Sequence, residues 1–354
     1  MVPIGFGPLR KYLPDNSLGR FPVTRKSNAV VSVSTGAKLP DKNGLLEFRN
    51  ADAFTINQYS TVSRLACLYM WGTQDMVSKL EHVLVRTPTT VGNFVADAQW
   101  REPNRESLLT EHCEFIDLLT SLGCTVHTAG SVDGLVDAVY MHDPMIMTPH
   151  GAILLQMGKP IRKKEPEQIE KDLLRLGVPV LGKLTGSAIA DGGDKVWLDA
   201  KTLLIGHGYR TNGDGIAQIQ KMLAPFGVEV HSFDLPHFQG PSAVLHLMSV
   251  LSPISHTRAV VYEPLAPIRL LQFLESRKIS WLTVNDTEVH TQGANILTIE
   301  PDVVVLAAGN PEIENKLRKS GVSVHIFNGA NVAVKGDGGP TCLTAPLSRK
   351  PSSN

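Results

Sequence analysis

Cysteine is scarce in this chain, which has four among its 354 residues, at positions 67, 113, 124 and 342. Their spacing fits neither a zinc site nor a disulfide framework. This scarcity excludes the small disulfide-rich folds of secreted proteins and favours a reducing compartment. We therefore predict a cytoplasmic protein.

Long apolar runs are also missing. No stretch approaches the roughly 20 apolar residues that a membrane-spanning helix needs, and Met1–Arg20 lacks the apolar segment of a secretory signal. We therefore predict no membrane partner. The first 40 positions contain several basic residues, such as Arg10, Lys11 and Arg20, but only one acidic residue, Asp15. A mitochondrial transit peptide is thus the alternative to a cytoplasmic location.

An excess of charge of either sign is absent, because 34 basic residues balance 34 acidic ones. The balance excludes the basic field that draws proteins to nucleic acid. With 42% hydrophobic residues, the chain can bury a large core. The composition predicts a globular protein with a small-molecule partner and no nucleic-acid partner.

What the sequence does contain, from about residue 80, is one pattern in five copies: an amphipathic helix, a turn residue and a short β-branched strand. The predicted helices are 106–122, 166–176, 214–225, 267–277 and 311–319, and the turn residues are Gly123, Gly177, Gly227, Lys278 and Gly321. The turn residues lie about 43 to 54 positions apart, a spacing typical of supersecondary units that stack or close into a ring. Predicted strand pairs, such as 145–147 with 152–156, lie between the helices.

Each turn residue is followed, about 14 to 21 positions later, by a polar side chain suited to chemistry. These side chains belong to Asp143, Asp191, Asp194, His246, Gln292, Asn295 and Cys342. Equivalent positions of a closed ring point toward one axis, so we expect these groups to meet in a central cavity. The alternative is a two-domain α/β protein, in which helices and strands alternate without closing a ring.

Cys342 follows the glycine-rich stretch 336–339, so we expect its thiol to lie on a loop that a substrate can approach. A loose thiol in a terminal loop is the alternative. A cysteine nucleophile needs a base. His246, within an apolar segment, is the candidate base, with His142 and His237 as rivals.

The carboxylates supply the remaining roles. Asp191 or Asp194, which flank two glycines, is the candidate for orienting the histidine. Asp143 follows the short apolar stretch 139–141 and precedes Pro144. Ordinary turn formation is the alternative for each of these aspartates. Taken together, the carboxylates indicate a cavity that accommodates a cation.

From about residue 80 to 349 the chain resembles the guanidino-group-modifying superfamily, and most of all the dimethylarginine dimethylaminohydrolases, with arginine deiminases and glycine amidinotransferases as relatives. The segments that carry the resemblance are Val83–Arg86, Asp143, Gly158–Glu165, Asp191–Asp194, Arg210–Asn212, Leu245–Leu247 and Gly338–Cys342. The resemblance implies a five-bladed α/β propeller, or pentein. It also implies an N-terminal extension at 1–77, a catalytic propeller at 78–349 and a tail at 350–354.

The resemblance further implies a role for each site residue. Cys342 would be the nucleophile, His246 the acid and base, and Asp191 the group that orients His246. Asp143 and Asp194 would hold the guanidinium of the substrate, and Arg210 would clamp its α-carboxylate.

Two positions depart from the family pattern. His142 stands where dimethylargininases carry an acid, and Met248 stands where deiminases and amidinotransferases carry a second aspartate. Both departures bear on which guanidino compound the site accepts.

The implied reaction is hydrolysis of a guanidino or methylguanidino amino acid, arginine-like or dimethylarginine-like, through a covalent thiouronium on Cys342. It gives a ureido product and an amine, and it requires no metal and no organic cofactor. An amidinotransferase that uses the same intermediate and a non-catalytic binding protein of the same fold are the alternatives. Loops such as 91–105, a candidate lid with Trp100, would decide between hydrolysis and transfer. A homodimer is a further expectation.

Overall fold

The computed structural model describes residues 71–243 and 245–350. This part of the chain contains fifteen strands in five three-stranded sheets. The strands are β1 Leu80–Arg86, β2 Thr125–Ala129, β3 Met145–Thr148, β4 Gly151–Leu154, β5 Val180–Lys183, β6 Lys195–Asp199, β7 Thr202–His207, β8 Glu229–Asp234, β9 Leu251–Ser255, β10 Arg258–Val261, β11 Ser280–Thr283, β12 Leu297–Glu300, β13 Val303–Ala307, β14 Ser323–Phe327 and β15 Ala345–Arg349.

Six α-helices accompany these strands in the described residues: α1 Phe94–Ala98, α2 Arg105–Ser121, α3 Glu165–Leu176, α4 Gly213–Leu223, α5 Ile268–Ser276 and α6 Pro311–Lys319. Short 3₁₀ turns lie at Val136–Val139, Pro160–Arg162, Gly192–Asp194, Ala224–Phe226, Leu247–Ser249, Glu263–Leu265, Glu288–Thr291 and Val334–Gly336. The last five helices correspond to the five predicted ones.

All five sheets have the same topology. The central strand pairs antiparallel with one neighbour and parallel with the other, and a helix connects it to the parallel one. The sheet orders are β15-β1-β2, β3-β4-β5, β6-β7-β8, β9-β10-β11 and β12-β13-β14. In the first sheet the antiparallel partner is β15, from the C-terminal end of the chain. This pairing joins the last strand to the first and closes the repeat.

The five turn residues have a common backbone conformation. Each has a positive φ, at 86° for Gly123, 72° for Gly177, 68° for Gly227, 57° for Lys278 and 87° for Gly321. A left-handed residue ends a helix by letting the following amides bond to its last carbonyls, and glycine adopts it without a Cβ penalty. The chain therefore leaves each helix toward its strand in the same way.

The helices pack on the sheets through apolar pairs four residues apart. These pairs are Ile169 with Leu173, Ile219 with Leu223, Leu270 with Leu274 and Ile313 with Leu317, and all are buried. Residues at this spacing lie on one face of a helix, so each helix presents one apolar stripe to its own unit. The polar faces remain outside.

The prediction of a five-bladed α/β propeller is confirmed by the five sheets and their common topology. The two-domain alternative does not describe these residues. In four of the five units the strand predicted directly after the turn residue begins one or two positions later in the structure, most clearly β5, which begins at Val180 and not at Val178. The amide of Val178 still bonds to the carbonyl of Leu173, which makes it part of the helix exit.

Most of the predicted extension at 1–77, and residues 351–354 of the predicted tail, lie outside the described residues. Within the described part, Gly72 forms a bridge with Ser348, and Met76 packs against the core. The domain boundaries stay a prediction. No helix in residues 71–243 or 245–350 has both the length and the apolar character needed to cross a membrane.

Candidate active site

A cavity of about 460 Å³ is lined by residues from all five units. Cys342 comes shortly before β15, Asp143 before β3, Gly193 before β6, His246 before β9 and Asn295 before β12. Each therefore lies just ahead of the first strand of its own sheet. This equivalence brings together residues as distant in the chain as Asp143 and Cys342, which are 199 positions apart. The volume suits a small-molecule ligand.

Cys342 is partly exposed in this cavity. Its Sγ accepts a hydrogen bond of 3.1 Å from Nδ2 of Asn295, and Oδ1 of Asn295 accepts the backbone N–H of Thr341 at 3.1 Å. Burial and the charge of Asp143 raise the pKa of the Cys342 thiol to about 11, although bonds from Gly339 and Asn295 act in the opposite direction. These groups therefore favour the protonated thiol at neutral pH.

Close packing at Gly339 explains part of the glycine-rich loop. A Cβ at this position would lie 2.5 Å from Oδ1 of Asn295, inside van der Waals contact. Any side chain there would displace the amide that holds Thr341 and Cys342. Glycine is thus required for the backbone to pass close to Asn295.

His246 lies beside Asp191, with 3.3 Å between Nε2 and Oδ2. Burial disfavours the imidazolium, but the bond to Asp191 and the charges of Asp194 and Asp143 outweigh it and raise the pKa of His246. A Cβ at Gly193 would lie 2.3 Å from Nδ1 of His246, so the ring packs directly on that glycine. The surrounding carboxylates therefore make His246 easier to protonate than a free imidazole.

Asp191 is buried behind the histidine. Its Oδ1 accepts the N–H of Gly158 at 2.9 Å, and its Oδ2 lies 3.5 Å from Nη1 of Arg210. Burial opposes ionisation of Asp191, but His246, Arg162 and Arg210 outweigh it and lower its pKa. Asp191 is thus an anion fixed against His246, as an orienting carboxylate requires.

Asp194 is buried and bonds to the protein through both oxygens. Oδ1 accepts the N–H of Leu247 at 3.0 Å, and Oδ2 accepts the hydroxyl of Thr211 at 2.6 Å. Burial raises its pKa to about 6, against the charge of His246. Asp194 is not among the residues that line the cavity. These contacts favour support of the His246 segment, and the predicted contact of Asp194 with substrate stays a prediction.

Asp143 lines the cavity and is held from two sides. Its Oδ1 accepts the N–H of Gly193 at 2.9 Å, and its Oδ2 accepts Nη1 of Arg162 at 2.5 Å. Burial acts against its charge, but Arg162 and His246 overcome this and lower the pKa of Asp143. Arg162 also bonds to Glu165, whose pKa burial raises to about 7 against the charge of Arg162. The cavity lining therefore carries a fixed carboxylate that is paired with one arginine of the same lining.

The candidate lid at 91–105 contains helix α1 and then Trp100, which is buried. The indole Nε1 of Trp100 donates to Oδ1 of Asp137 at 2.7 Å, and Nζ of Lys159 donates to Oδ2 of Asp137 at 2.8 Å. Asp137 thus joins the lid segment to the cavity wall. In this structure the segment is bound to the propeller.

The structure brings most predicted site residues to the same place. Cys342, His246, Asp143 and Arg210 line the cavity, and Asp191 contacts His246 and Arg210 from behind. Of the rival histidines, His142 is buried with Nε2 2.7 Å from Nζ of Lys195. His237 accepts or donates a 2.7 Å bond with the hydroxyl of Tyr209. Neither rival lines this cavity.

Sequence reasoning did not assign roles to Asp137, Arg162 or Lys195. Arg162 lies inside the basic segment 158–165 that carried the family resemblance, and this was the signal that could have found it. Asp137 and Lys195 have no comparable local signal. In residues 71–243 and 245–350, no group of three or more histidine, cysteine, aspartate or glutamate side chains is arranged to hold a metal ion.

Comparison with known proteins bears directly on the family. The family model described as arginine deiminase matches residues 124–267 and 270–349. The chain belongs to this family. The match covers the region that contains Asp143, Asp191, His246 and Cys342, and the predicted resemblance to guanidino-modifying enzymes is confirmed.

Two curated relatives show how wide the match is. Dimethylarginine dimethylaminohydrolase of Pseudomonas aeruginosa is 22% identical over 265 residues, which cover 75% of this chain and 98% of that protein. Arginine deiminase of Listeria welshimeri is 23% identical over 261 residues, 62% of this chain and 63% of that protein. The predicted enzyme class, a hydrolase of amidine C–N bonds, agrees with both names and is confirmed.

A solved structure of the Pseudomonas aeruginosa enzyme, a cysteine-to-serine mutant complexed with citrulline, superposes with a TM-score of 0.64. The two chains are 22% identical over 75% of this chain and 98% of the other. The likeness confirms that this chain has the propeller fold. Cytoplasmic location and homodimer formation stay predictions.

Proposed function

We propose that this protein hydrolyses a guanidino or methylguanidino amino acid, of the arginine or dimethylarginine type, through a covalent thiouronium on Cys342. The observation that carries the proposal is the convergence of Cys342, His246 and Asp143 on one cavity. A thiol, a protonated imidazole and a fixed carboxylate are the three groups that this reaction needs. The names of the curated relatives support the same substrate class.

The first requirement is a counter-charge for the substrate. A guanidinium is delocalised and stays protonated at neutral pH, so it is a poor electrophile until its charge is held in place. Asp143 is an anion in the cavity lining, and its contacts with Gly193 and Arg162 fix its orientation. We assign to Asp143 the binding of the substrate guanidinium beside Cys342.

The second requirement is an acid for the departing amine. The thiolate of Cys342 attacks the central guanidinium carbon and forms a C–S bond. His246 then donates a proton to the leaving nitrogen, and the C–N bond breaks. The carboxylates around His246 raise its pKa and so favour the protonated form that this step uses.

The third step restores the enzyme. His246, now neutral, takes a proton from water, which attacks the thiouronium carbon. The C–S bond breaks, the thiolate leaves, and the product carries a ureido group. The sum is guanidinium plus water giving urea plus a protonated amine, so the atoms balance without a cofactor.

The amino-acid end of the substrate would lie toward Arg210. This arginine is buried and lines the cavity, and Oδ2 of Asp191 lies 3.5 Å from its Nη1. Further N–H groups of the guanidinium can therefore bind a carboxylate in the planar, paired geometry that arginine favours. We assign to Arg210 the recognition of the substrate α-carboxylate.

Apolar side chains beside the histidine favour a methylated substrate. Met248, Leu245 and Ala294 line the same cavity as His246. N-methyl groups on the leaving nitrogen would contact these side chains and lose water-exposed apolar surface. The N–H groups of an unmethylated arginine would find no hydrogen-bond partner on this apolar wall.

The test is a product assay on the purified protein with arginine, asymmetric dimethylarginine and guanidinoacetate, each with and without glycine as an amine acceptor. We expect ureido product and amine from at least one amino acid, in amounts independent of glycine, and none from Cys342→Ser. Transfer of the amidino group to glycine would show that the protein is an amidinotransferase and not a hydrolase. Tight binding without any product would identify a binding protein.

A further inference from the structure

The nucleophile loop, residues 333–342, contains more glycine than its contact with Asn295 explains. That contact requires glycine at position 339, which leaves Gly336 and Gly338. Neither of these two has a positive φ, so their backbone conformation alone would accept a side chain. Packing against neighbouring side chains is therefore what selects glycine at both positions.

Two aromatic side chains occupy the space beside these glycines. A Cβ at Gly336 would lie 2.1 Å from Oη of Tyr140 and 2.3 Å from Cε2 of Trp100. A Cβ at Gly338 would lie 2.3 Å from Cε1 of Tyr140. The rings of Trp100 and Tyr140 are both buried, with 5.4 Å between their centroids. The nucleophile loop therefore passes directly against this aromatic pair.

The hydroxyl of Tyr140 bonds to the same loop. Its Oη donates to the carbonyl oxygen of Ala333 at 2.8 Å, and the N–H groups of Gly336 and Gly338 each donate to that oxygen at 3.1 Å. Burial and the charge of Asp137 raise the pKa of Tyr140 well above its usual value, so the hydroxyl keeps its proton and remains a donor. One carbonyl thus gathers the tyrosine and both glycine amides.

The backbone of Tyr140 supports the segment that carries the substrate-binding carboxylate. Its carbonyl oxygen accepts the N–H of Asp143 at 3.3 Å and Nη2 of Arg162 at 3.4 Å. Arg162 in turn bonds to the carboxylate of Asp143. A single residue therefore contacts both the segment of Asp143 and the loop of the thiol, and it fixes their relative position.

The lid segment 91–105 is bonded to the nucleophile loop as well. The N–H of Arg101 donates to the carbonyl oxygen of Lys335 at 2.8 Å, and Nζ of Lys335 donates to the carbonyl oxygen of Glu102 at 2.7 Å. Arg101 also forms an ion pair with Asp337 at 3.1 Å. The lid segment therefore holds the same stretch of loop that packs on the aromatic pair.

We propose that Tyr140 is a positioning residue of the reaction, which holds the nucleophile loop so that the thiol of Cys342 faces the guanidinium bound by Asp143. Its ring sets the path of the loop at the two glycines, and its hydroxyl fixes the carbonyl that both glycine amides contact. Tyr140 exchanges no proton, and its effect reaches the reaction through the loop. This inference rests on the proposed function in the roles of Cys342 and Asp143.

The test compares two alkylating reagents of the same shape at pH 7, chloroacetamidine, which is a planar cation, and chloroacetamide, which is neutral. With both reagents the sulfur displaces chloride and a C–S bond forms. Asp143 can hold the cation beside the sulfur, whereas the neutral reagent arrives by free diffusion. The ratio of the two rates at Cys342, divided by the ratio for free cysteine, therefore measures how well a cation held by Asp143 meets the thiol. Peptide mass spectrometry separates Cys342 from the other three cysteines.

Tyr140→Phe removes the hydroxyl and keeps the ring. We expect the corrected rate ratio to fall by about fivefold or more, as for one lost hydrogen bond, while the chloroacetamide rate changes by less than about twofold. In turnover, kcat should fall by a similar factor and KM should change less, because the hydroxyl bonds to the loop. A merely structural role would lower the yield of folded protein and leave the rate ratio unchanged.

Tyr262→Phe is the matched control. Tyr262 is also buried, and its hydroxyl bonds to Asp286 at 3.0 Å, but it does not line the cavity. Its corrected rate ratio should equal that of the natural protein. Equal ratios for Tyr140→Phe and Tyr262→Phe would overturn the inference and leave the proposed function standing.

Gly338→Ala covers the case in which Tyr140→Phe fails to fold. It leaves Tyr140 in place and brings a methyl group against its ring, so the corrected rate ratio should fall by about tenfold or more as the loop shifts. Gly213→Ala is the control, because Gly213 is exposed and an added Cβ would meet nothing within 4 Å. An unchanged ratio in Gly338→Ala would contradict the positioning role.

Failure of the proposed function gives a different result. If the natural protein shows no preference for the cation, and Asp143→Asn changes nothing, the binding of a guanidinium by Asp143 is rejected and the inference is overturned with it. Absence of ureido product together with a rate ratio that depends on Tyr140 would reject hydrolysis and support the role of Tyr140.

Discussion

Asn295 holds the nucleophile loop at two points, through Nδ2 to the sulfur of Cys342 at 3.1 Å and through Oδ1 to the N–H of Thr341 at 3.1 Å. The donor lowers the cost of a thiolate because it bonds to the ionised form. The acceptor fixes the backbone that carries the thiol. One amide thus bonds to the sulfur and fixes the backbone that carries it.

Asn295→Ala should therefore reduce kcat by about 10- to 100-fold, the effect of losing one hydrogen bond to a charged group. Alkylation of Cys342 at pH 8 should slow by a similar factor, because the thiol pKa rises. KM should change less, because the hydrogen bonds of Asn295 go to the sulfur of Cys342 and to the backbone of Thr341. A normal alkylation rate with reduced kcat would contradict this account of Asn295.

Asp191→Asn should alter the pH dependence of turnover. The carboxylate raises the pKa of His246, so its removal should lower that pKa. The protonated acid would then be lost at lower pH, and the alkaline limb of the kcat profile should shift to lower pH. The control is Ser187→Ala, a residue whose hydroxyl bonds to Asp214 and which does not line the cavity. An unshifted alkaline limb in Asp191→Asn would show that Asp191 does not raise the pKa of His246.

Lys195→Met should change stability in a pH-dependent way. Burial lowers the lysine pKa from 10.5 in the unfolded chain to about 7, so the native state binds fewer protons between these values. Above pH 10.5 Lys195 is neutral in both states, so its burial does not lower the stability of the folded protein. As the pH drops from 10.5 to 7, folding must remove a proton from this lysine, and the folded protein loses stability. Methionine lacks this dependence, so the variant should gain stability relative to the natural protein at pH 6, by up to about 5 kcal/mol.

Urea unfolding of both proteins at pH 6 and pH 10 measures this difference. The stability difference between variant and natural protein should shrink as the pH rises. Lys183→Met provides the matched control, because that lysine is exposed and paired at the surface. A difference that is the same at both pH values would show that Lys195 does not titrate in this range.

Met248→Asp should change substrate preference. Met248 lines the cavity with His246, and a carboxylate there would bond to N–H groups of an unmethylated guanidinium. The ratio of kcat/KM for arginine to that for asymmetric dimethylarginine should rise by about tenfold or more. Met248→Leu keeps the wall apolar and serves as the control. An unchanged ratio would place the leaving nitrogen away from Met248.

Much of the fold could be predicted because its signals are local. The turn residues Gly123, Gly177, Gly227, Lys278 and Gly321 mark the ends of helices through backbone conformation alone. The apolar pairs four residues apart are likewise visible in sequence. The start of β5 was misplaced because the bond from Val178 to Leu173 depends on how helix α3 ends, which residue preferences do not determine.

The site could be predicted only in part. Equivalent positions in the repeat indicated that Asp143, His246 and Cys342 would meet, and they do line one cavity. The bond between Lys195 and His142 joins residues 53 positions apart, and nothing near either residue signals it. Such contacts arise when the ring closes, so they follow from three-dimensional packing alone.

The central claim is that Cys342 becomes covalently bound to substrate carbon during turnover. The most direct test mixes the protein with asymmetric dimethylarginine or arginine, quenches in acid within milliseconds to seconds, and measures intact mass and the Cys342 peptide. We expect a transient thiouronium adduct on Cys342 that forms and decays at rates compatible with kcat, and no adduct in Cys342→Ser. Steady ureido formation from a protein whose Cys342 peptide stays unmodified at every quench time, or undiminished turnover by Cys342→Ser, would contradict the account.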